Sequence, residues 1–385
     1  MKYKRFKGLE LSRLGFGAMR LPVIDGNENN IDRDAFERLV DYAMSNGVNY
    51  FDTGWGYHGG NSEILLGQIL SKYPRDSYFF ADKFPGYDLT NMPKVREIFE
   101  KQLERTGLTY FDFYLLHNVC EMNIEQYMDP KYGIMDYLLE QKRAGRIRYL
   151  GISSHAEPET LRRFLDVYGK EMEFCQLQLN YLDWRFQRGR EKVEVLKDFK
   201  IPVWVMEPLR GGRLTRLDPD HAMRLHQVRP GESEASWAFR FLQTVPEVTL
   251  VLSGMSDEKQ MEENVKIFSE ERPLNGEERQ VLSGIAKEMA KEDAVPCTAC
   301  RYCTGHCPKG LDIPRIISLY NEHRLTVSGG LFGFIAPMAL KALSPEKQPS
   351  ACIHCRSCER VCPQGIKISE IMTDFTGILD QFKIG

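Results

Sequence analysis

The chain reads as an α/β protein: a closed parallel (β/α)8 barrel of the TIM type, followed by a smaller, mostly α-helical module rich in cysteine. Three observations predict this. Strand-like and helix-like segments alternate eight times before the cysteines begin. No G-x-G-x-x-G turn follows the first strand, as an open doubly wound sheet usually carries; Gly15-Phe16-Gly17 lacks the third glycine. Eight of the ten cysteines fall in two copies of one pattern near the C-terminus. A length of 385 residues suits two domains better than one core.

Strands are expected at 14–19, 49–52, 78–83, 111–117, 147–153, 174–180, 202–206 and 248–252. Amphipathic stretches separate them, at 32–45, 62–70, 94–106, 127–144, 158–167, 191–199, 232–242 and 256–268. Eight β/α units imply a closed barrel of about 250 residues. A further helical stretch, 274–291, opens with Asn275-Gly276-Glu277-Glu278 and carries Val281, Ile285 and Met289 at four-residue steps. It reads as a connection. The expected organisation is a barrel over 1–272, a connecting helix over 273–292 and a cysteine module over 293–385.

The first cysteine run is Cys297-x2-Cys300-x2-Cys303-x3-Cys307-Pro308, and the second is Cys352-x2-Cys355-x2-Cys358-x3-Cys362-Pro363. Three closely spaced thiolates can reach three irons of one cube, and the fourth must be reached from elsewhere. This spacing resembles that of bacterial ferredoxins, and a doubled run implies two [4Fe–4S] clusters in a ferredoxin-like module. In two-cluster ferredoxins the last Cys of each run ligates the other cluster. By that resemblance Cys297, Cys300, Cys303 and Cys362 hold one cluster, and Cys352, Cys355, Cys358 and Cys307 the second. Zinc sites use paired C-x-x-C or Cys/His mixtures instead. Disulfides need an oxidising compartment, and no N-terminal apolar signal segment is legible, so a cytoplasmic location is expected. His306 and His354 lie inside the runs without a Rieske arrangement. Cys120 and Cys175 are expected as buried packing residues.

Charge is near balance at -3, with no basic block, which argues against a nucleic-acid partner. Residues 293–385 hold ten Lys/Arg and eight Asp/Glu, an excess that partly offsets cluster charge. No apolar run reaches the ~18 residues of a membrane span. The most apolar stretch, 330–343, contains Pro337 and is expected to cover the clusters.

A barrel enzyme carries its catalytic groups at the C-terminal ends of strands. Asp52, Lys83 and His117 end expected strands, and Tyr57 follows Asp52 in a short loop. Their chemistry fits together. A carbonyl that receives hydride needs a proton on its oxygen. Tyr, with a pKa near ~10, is too weak an acid unaided. A nearby ammonium stabilises phenolate. Asp52 can orient Lys83, and His117 can donate a second hydrogen bond to the carbonyl oxygen.

Asp52-Thr53 with Tyr57, then Lys83, then Leu115-Leu116-His117 resembles the tetrad of the aldo-keto reductase family. Leu14-Gly15-Phe16-Gly17, Ser62-Glu63-Ile64-Leu65-Leu66-Gly67, Gly151-Ile152-Ser153 and Glu263-Asn264 extend the resemblance over about residues 1–272. It implies a barrel binding NAD(P)H across its C-terminal mouth, and interconversion of a small carbonyl and an alcohol with Tyr57 as general acid or base. It also implies that Ser153, Ser154 and Gln176 meet the nicotinamide carboxamide and that Met206 packs on the ring. The backbone of Pro208, Leu209, Gly211, Gly212 and Leu214 would approach the pyrophosphate. Gln260, Glu263 and Asn264 would lie at the adenine end. The family usually has Asn where Ser154 stands and an aromatic where Met206 stands. NADPH-using members place Arg and Lys at the positions of Gln260 and near Gly254. Neither is basic here, although Lys259 is adjacent, so NADH is favoured.

The combination predicts an oxidoreductase whose clusters exchange electrons with a protein partner. The alternatives are clusters that are structural or redox-sensing, and a cofactor-bound regulatory or docking subunit. Hydride carries two electrons and each cluster takes one. Coupling them needs a splitter such as a flavin, which a barrel can bind without a short motif.

Overall fold

The computed structural model describes residues 1–292, 294, 295, 297, 300–327, 333 and 335–382, with backbone alone at 291 and 292. The chain opens with an antiparallel hairpin, β1 (Tyr3–Phe6) and β2 (Leu9–Ser12). It turns at Lys7 and Gly8, both at positive φ. The sequence reading missed this hairpin. Its Phe6 enters an aromatic cluster, 5.0 Å from the Trp204 ring and 5.1 Å from that of Tyr149. Tyr50, Phe113 and Phe174 complete this packing, so the hairpin buries large apolar area against the barrel interior.

The barrel follows as expected. Its strands are β3 (Leu14–Gly17), β4 (Tyr50–Asp52), β5 (Phe79–Phe84), β6 (Phe111–Val119), β7 (Ile147–Ser154), β8 (Cys175–Gln178), β9 (Val203–Met206) and β10 (Val248–Ser253). Each pairs in parallel with the next, and β10 closes on β3. Connections from one parallel strand to the next need crossovers, and helices supply them. These are α1 (Arg33–Ser45), α2 (Asn61–Leu70), α3 (Val95–Thr106), α4 (Ile124–Met128), α5 (Ile134–Arg143), α6 (Pro158–Tyr168), α7 (Asp183–Phe186), α8 (Gly189–Asp198), α9 (Pro219–Val228), α10 (Glu234–Gln243) and α11 (Glu258–Phe268). The first shows why. Asp32 caps it, accepting from the Ala35 N–H at 3.0 Å, and Phe36, Leu39, Val40 and Ala43 bury one face.

One helix expected over 127–144 is two, α4 and α5. Pro130 lacks an N–H and Gly133 sits at φ 59, so the helical ladder breaks between them. At the other extreme of packing, α2 meets α3 at Gly67, where an added Cβ would lie 2.2 Å from the Thr106 carbonyl oxygen.

Met1–Leu209 and Leu225–Arg279 form one compact unit, and Arg210–Arg224 with Gln280–Gly385 a second. The division falls within α12 (Gly276–Glu292). The second unit contains α13 (Ile313–Val327), α14 (Ile335–Lys341), α15 (Ser357–Arg360) and α16 (Ile368–Gln381). Leu311, Ile316, Ile317, Leu340, Met372 and Phe375 are among its core. It repeats internally. Arg301 and Arg356, one residue past equivalent cysteines, both take positive φ, as do Gly310 and Gly365. Both runs then feed a helix at the same offset, α13 at Ile313 and α16 at Ile368. The apolar stretch 330–343 lies partly outside the described residues, as does the expected module start at 293; the described part of the stretch forms α14, which buries Ala336, Pro337 and Leu340. Among the described residues, no helix is long and apolar enough to cross a membrane.

Candidate active site and cluster cavities

Parallel strands deliver their last side chains to one end of the barrel, and β4, β5 and β6 deliver Asp52, Lys83 and His117. Lys83 Nζ, fully buried, donates to Asp52 Oδ1 at 2.6 Å and to the Thr53 carbonyl at 2.5 Å. It stands 5.1 Å from the centre of the Tyr57 ring. The Tyr57 ring lies 5.9 Å from that of His117, edge to face. The turn that carries Tyr57 leaves room through its glycines. A Cβ on Gly54 would stand 3.1 Å from the Tyr57 ring, and one on Gly56 would stand 2.6 Å from the Tyr87 hydroxyl.

The electrostatics follow from burial and from Lys83. Burial works against the ammonium, yet Asp52 and Tyr57 hold Lys83 above its ordinary pKa. Burial also pushes the Tyr57 phenol up, with Lys83 pulling it back and Asp52 adding to the rise. The sequence reasoning emphasised the ammonium; burial is the larger influence, so the phenol keeps its proton at neutral pH. Burial, then Lys83 and His155, push His117 far below its usual pKa, so its ring is neutral. His117 Nδ1 and Asp52 Oδ2 are buried without a hydrogen-bond partner among the described residues.

The next strands bring further expected residues to the same end. Ser153 on β7 and Gln176 on β8 are in register. Ser153 Oγ accepts from the Asn118 N–H at 2.7 Å, which leaves its own proton to give. Gln176 Oε1 is buried with no partner among the described residues. An unpaired acceptor beside a free hydroxyl proton suits a carboxamide, which both donates and accepts. Ser154 is spent on structure: its Oγ donates to the Val119 carbonyl at 2.9 Å and accepts from the Ala156 N–H at 3.1 Å. Met206, at the end of β9, is half-buried.

The outer positions behave less uniformly. Asn264 is buried and donates to Ser253 Oγ at 3.1 Å, and Glu263 hydrogen-bonds Ser233. Gln260 folds into the start of α11, where its N–H donates to Asp257 Oδ1 and its Oε1 accepts from the Ser256 N–H. That is a capping arrangement. Pro208 and Leu209 end the first unit's long segment. Gly211, Gly212 and Leu214 lie in the turn Arg210–Thr215 of the second unit, with φ 61 and 93 at the two glycines. Within that unit Arg213 Nη1 donates to the Leu325 carbonyl at 2.8 Å and Arg210 Nη2 to Thr326 Oγ1 at 3.3 Å.

Two cavities in the second unit gather the cysteines. One is lined by Cys297, Cys300, Cys303 and Cys362 with Pro314, Ile317 and Ile366. The other is lined by Cys307, Cys352, Cys355 and Cys358 with Leu311, Ile313 and Met372. Each draws three thiols from one run and its fourth from the other. Four thiols in an apolar wall fit a [4Fe–4S] cluster, and the Leu311 N–H reaches Cys307 Sγ at 3.5 Å, a contact that suits a thiolate. Cys120 and Cys175 are buried outside these cavities.

The aldo/keto reductase family profile matches residues 13–286. The chain belongs to that family. A 4Fe-4S dicluster domain profile matches residues 296–366, so a reductase barrel is followed by a ferredoxin-type domain. A probable aldo-keto reductase of Glycine max is 29% identical over 54% of this chain and 58% of its own length. A protein of Escherichia coli (strain K12) named NADH-specific methylglyoxal reductase is 27% identical over 54% of this chain and 66% of its own. The chain thus spans less than two thirds of either relative. An uncharacterized oxidoreductase of Bacillus subtilis (strain 168) is 26% identical over 73% of this chain and 94% of its own. The holo form of an aldo-keto reductase from Bacillus halodurans superposes with a TM-score of 0.60 at 26% identity, covering 74% and 96% of the two chains.

Three features of this aldo/keto reductase escaped the sequence reading. Behind Lys83 lies a buried polar network. Gln102 Nε2 donates to Glu63 Oε1 at 3.0 Å, to Asp82 Oδ1 at 2.9 Å and to the Lys83 carbonyl at 3.0 Å. Arg105 Nη1 donates to Glu63 Oε2 at 2.8 Å. Tyr87 sets its ring 5.1 Å from His117, edge-on. Arg20 is the basic residue beside Gly254, where an added Cβ would stand 3.2 Å from Arg20 Cβ. Its Nη2 is engaged by Glu207 Oε1 at 2.9 Å. Apart from Glu63, which lies in the stretch quoted above for the family resemblance, no local pattern marks these residues; their partners are far apart in sequence.

Proposed function

We propose that this reductase transfers hydride between a nicotinamide dinucleotide and a small carbonyl, with Tyr57 as the proton donor. The observation that carries the reading is the Tyr57 phenol beside a Lys83 ammonium held at 2.6 Å by Asp52. The nicotinamide, when bound, supplies hydride. The chain's own residues do the rest. Ser153 and Gln176 orient the carboxamide. As charge grows on the carbonyl oxygen, Tyr57 gives it a proton, and Lys83 stabilises the phenolate left behind. Asp52 keeps Lys83 charged and aimed. Neutral His117 donates a ring N–H to the same oxygen. The eight cluster cysteines hold two [4Fe–4S] clusters for one-electron exchange with a protein partner.

NADH is the favoured dinucleotide. Gln260 caps its own helix, and Arg20 is committed to Glu207. Without a free clamp, a 2′-phosphate forgoes charge-assisted bonds of roughly 1.5–3 kcal/mol. The name of the Escherichia coli relative points the same way. The test uses methylglyoxal as the probe carbonyl. Tyr57→Phe is expected to lower turnover at least about 100-fold while leaving the dissociation constant for NADH nearly unchanged. Wild-type turnover in that variant would refute the proton-donor role. NADPH binding about tenfold tighter than NADH would refute the cofactor preference.

A further inference from the structure

The rims of the two cysteine cavities differ in charge. At the first, Arg301 follows the exposed Cys300 and is paired with Asp312 at 3.2 Å. At the second, the equivalent Arg356 follows the exposed Cys355 and lines the cavity together with Lys309. Neither Arg356 nor Lys309 forms an ion pair among the described residues. Lys347 joins this rim, its Nζ 3.1 Å from the Gly310 carbonyl oxygen. Arg360 is close by, its Nη2 donating to Ser357 Oγ at 3.0 Å. The nearest acids are engaged by hydroxyl and amide donors: Glu359, within electrostatic reach of Arg356, accepts from the Ser369 N–H at 2.8 Å, and Glu346 is held by Ser344. Ile353, 55% exposed, lines the same cavity.

We infer that the rim of the second cavity docks an acidic one-electron carrier protein. The inference rests on the reading that this cavity holds a [4Fe–4S] cluster. An exposed thiolate ligand brings a cluster edge to the surface, where an electron can cross. An apolar side chain among unpaired cations has the make-up of a small, transient electron-transfer interface. Cations of one sign speed encounter with an oppositely charged partner and choose it over basic ones. The first rim, its arginine neutralised by Asp312, offers no such field. The exchange is a single electron leaving the reduced carrier and entering the second cluster, with no bond made and no proton required.

The test uses the full-length, anaerobically prepared holoprotein and an acidic flavodoxin as the carrier. Stopped-flow reduction by the flavodoxin is expected to slow about tenfold as salt rises from low to physiological strength. In the Lys309→Glu/Arg356→Glu variant it is expected to be slow, about tenfold or more, even at low salt. Binding of oxidised flavodoxin, measured by calorimetry, should weaken in parallel. Reduction by a zwitterionic viologen and turnover of methylglyoxal should not change. If the charge-reversed protein fails to load clusters, Lys309→Gln/Arg356→Gln takes its place with the same readouts. A variant with intact clusters, unchanged flavodoxin rate and unchanged salt dependence overturns the inference. So does a variant in which only the cluster potential shifts, which would mean that the cations merely offset cluster charge. Absence of cluster absorbance in the wild-type holoprotein would instead overturn the cluster reading, and docking with it.

Discussion

Asp82 and Glu63 are both fully buried, and both are linked through Gln102, which also donates to the Lys83 carbonyl. Burial first, then the neighbouring Glu63, pushes the Asp82 carboxyl far up; burial pushes Glu63 up against the pull of Arg105. A carboxyl pushed up by burial and by a neighbouring carboxyl favours its protonated form, which Arg105 and Lys83 oppose. A carboxyl whose folded-state pKa is raised contributes its full stability below the ordinary value of ~3.9, and loses it as pH rises through the folded value. Asp82→Asn keeps the oxygen that accepts from the Lys83 N–H at 2.8 Å and does not titrate. The variant is therefore expected to gain stability relative to wild type as pH rises, on the order of 1 kcal/mol by pH 8. Thermal unfolding at pH 5 and pH 8 measures it; a difference that is flat or shrinks with pH would contradict the raised pKa of Asp82. Residues of this kind explain the limits of sequence reading at this scale. Asp52, Lys83 and His117 are legible because each stands at or near the end of an expected strand. Glu63, Asp82, Gln102 and Arg105 look like ordinary polar positions on two helices and a strand, and only the tertiary fold turns them toward one another.

At the scale of elements, strands were the most legible, since each barrel strand is a short apolar run bounded by polar turns. Boundaries shifted by a residue or two, as in β8, which starts at Cys175 and ends at Gln178. The opening hairpin was hidden because its strands are only four residues long, and charged residues interrupt their apolar positions, Phe6, Leu9 and Leu11. The merged helix over 127–144 shows the opposite error, in which helical periodicity continued across a proline and a glycine that interrupt the backbone. The contact of α2 with α3 gives a direct test. Gly67→Ala would drive a methyl into the Thr106 backbone, which cannot move aside as a flexible side chain could. The expected loss is about 1–3 kcal/mol. Thermal unfolding measures it, and an unchanged midpoint would show that the two helices separate freely.

For the molecule as a whole, the cysteine spacing announced a second module, and the fold gathers its cysteines into two cavities that each borrow from both runs. Cys307→Ser is expected to damage the cluster held by the second run and spare the other, lowering iron from about eight toward about four per chain. Iron analysis with electron paramagnetic resonance separates the two sites, and selective loss of the cluster at Cys297, Cys300 and Cys303 would reject the crossed assignment. The sequence did not indicate that Arg210–Arg224 would group with the cysteine module, since the contacts that join it to residues such as Leu325 and Thr326 lie more than a hundred positions away. The borrowing has a consequence for how such a module can be divided. Although α13 and α16 begin alike, neither half is a self-sufficient building block. A chain severed between Cys307 and Cys352 leaves each fragment with three thiols around one site and a stray fourth belonging to the other. The repeat is therefore indivisible: it can be inherited, transplanted or deleted only as a pair.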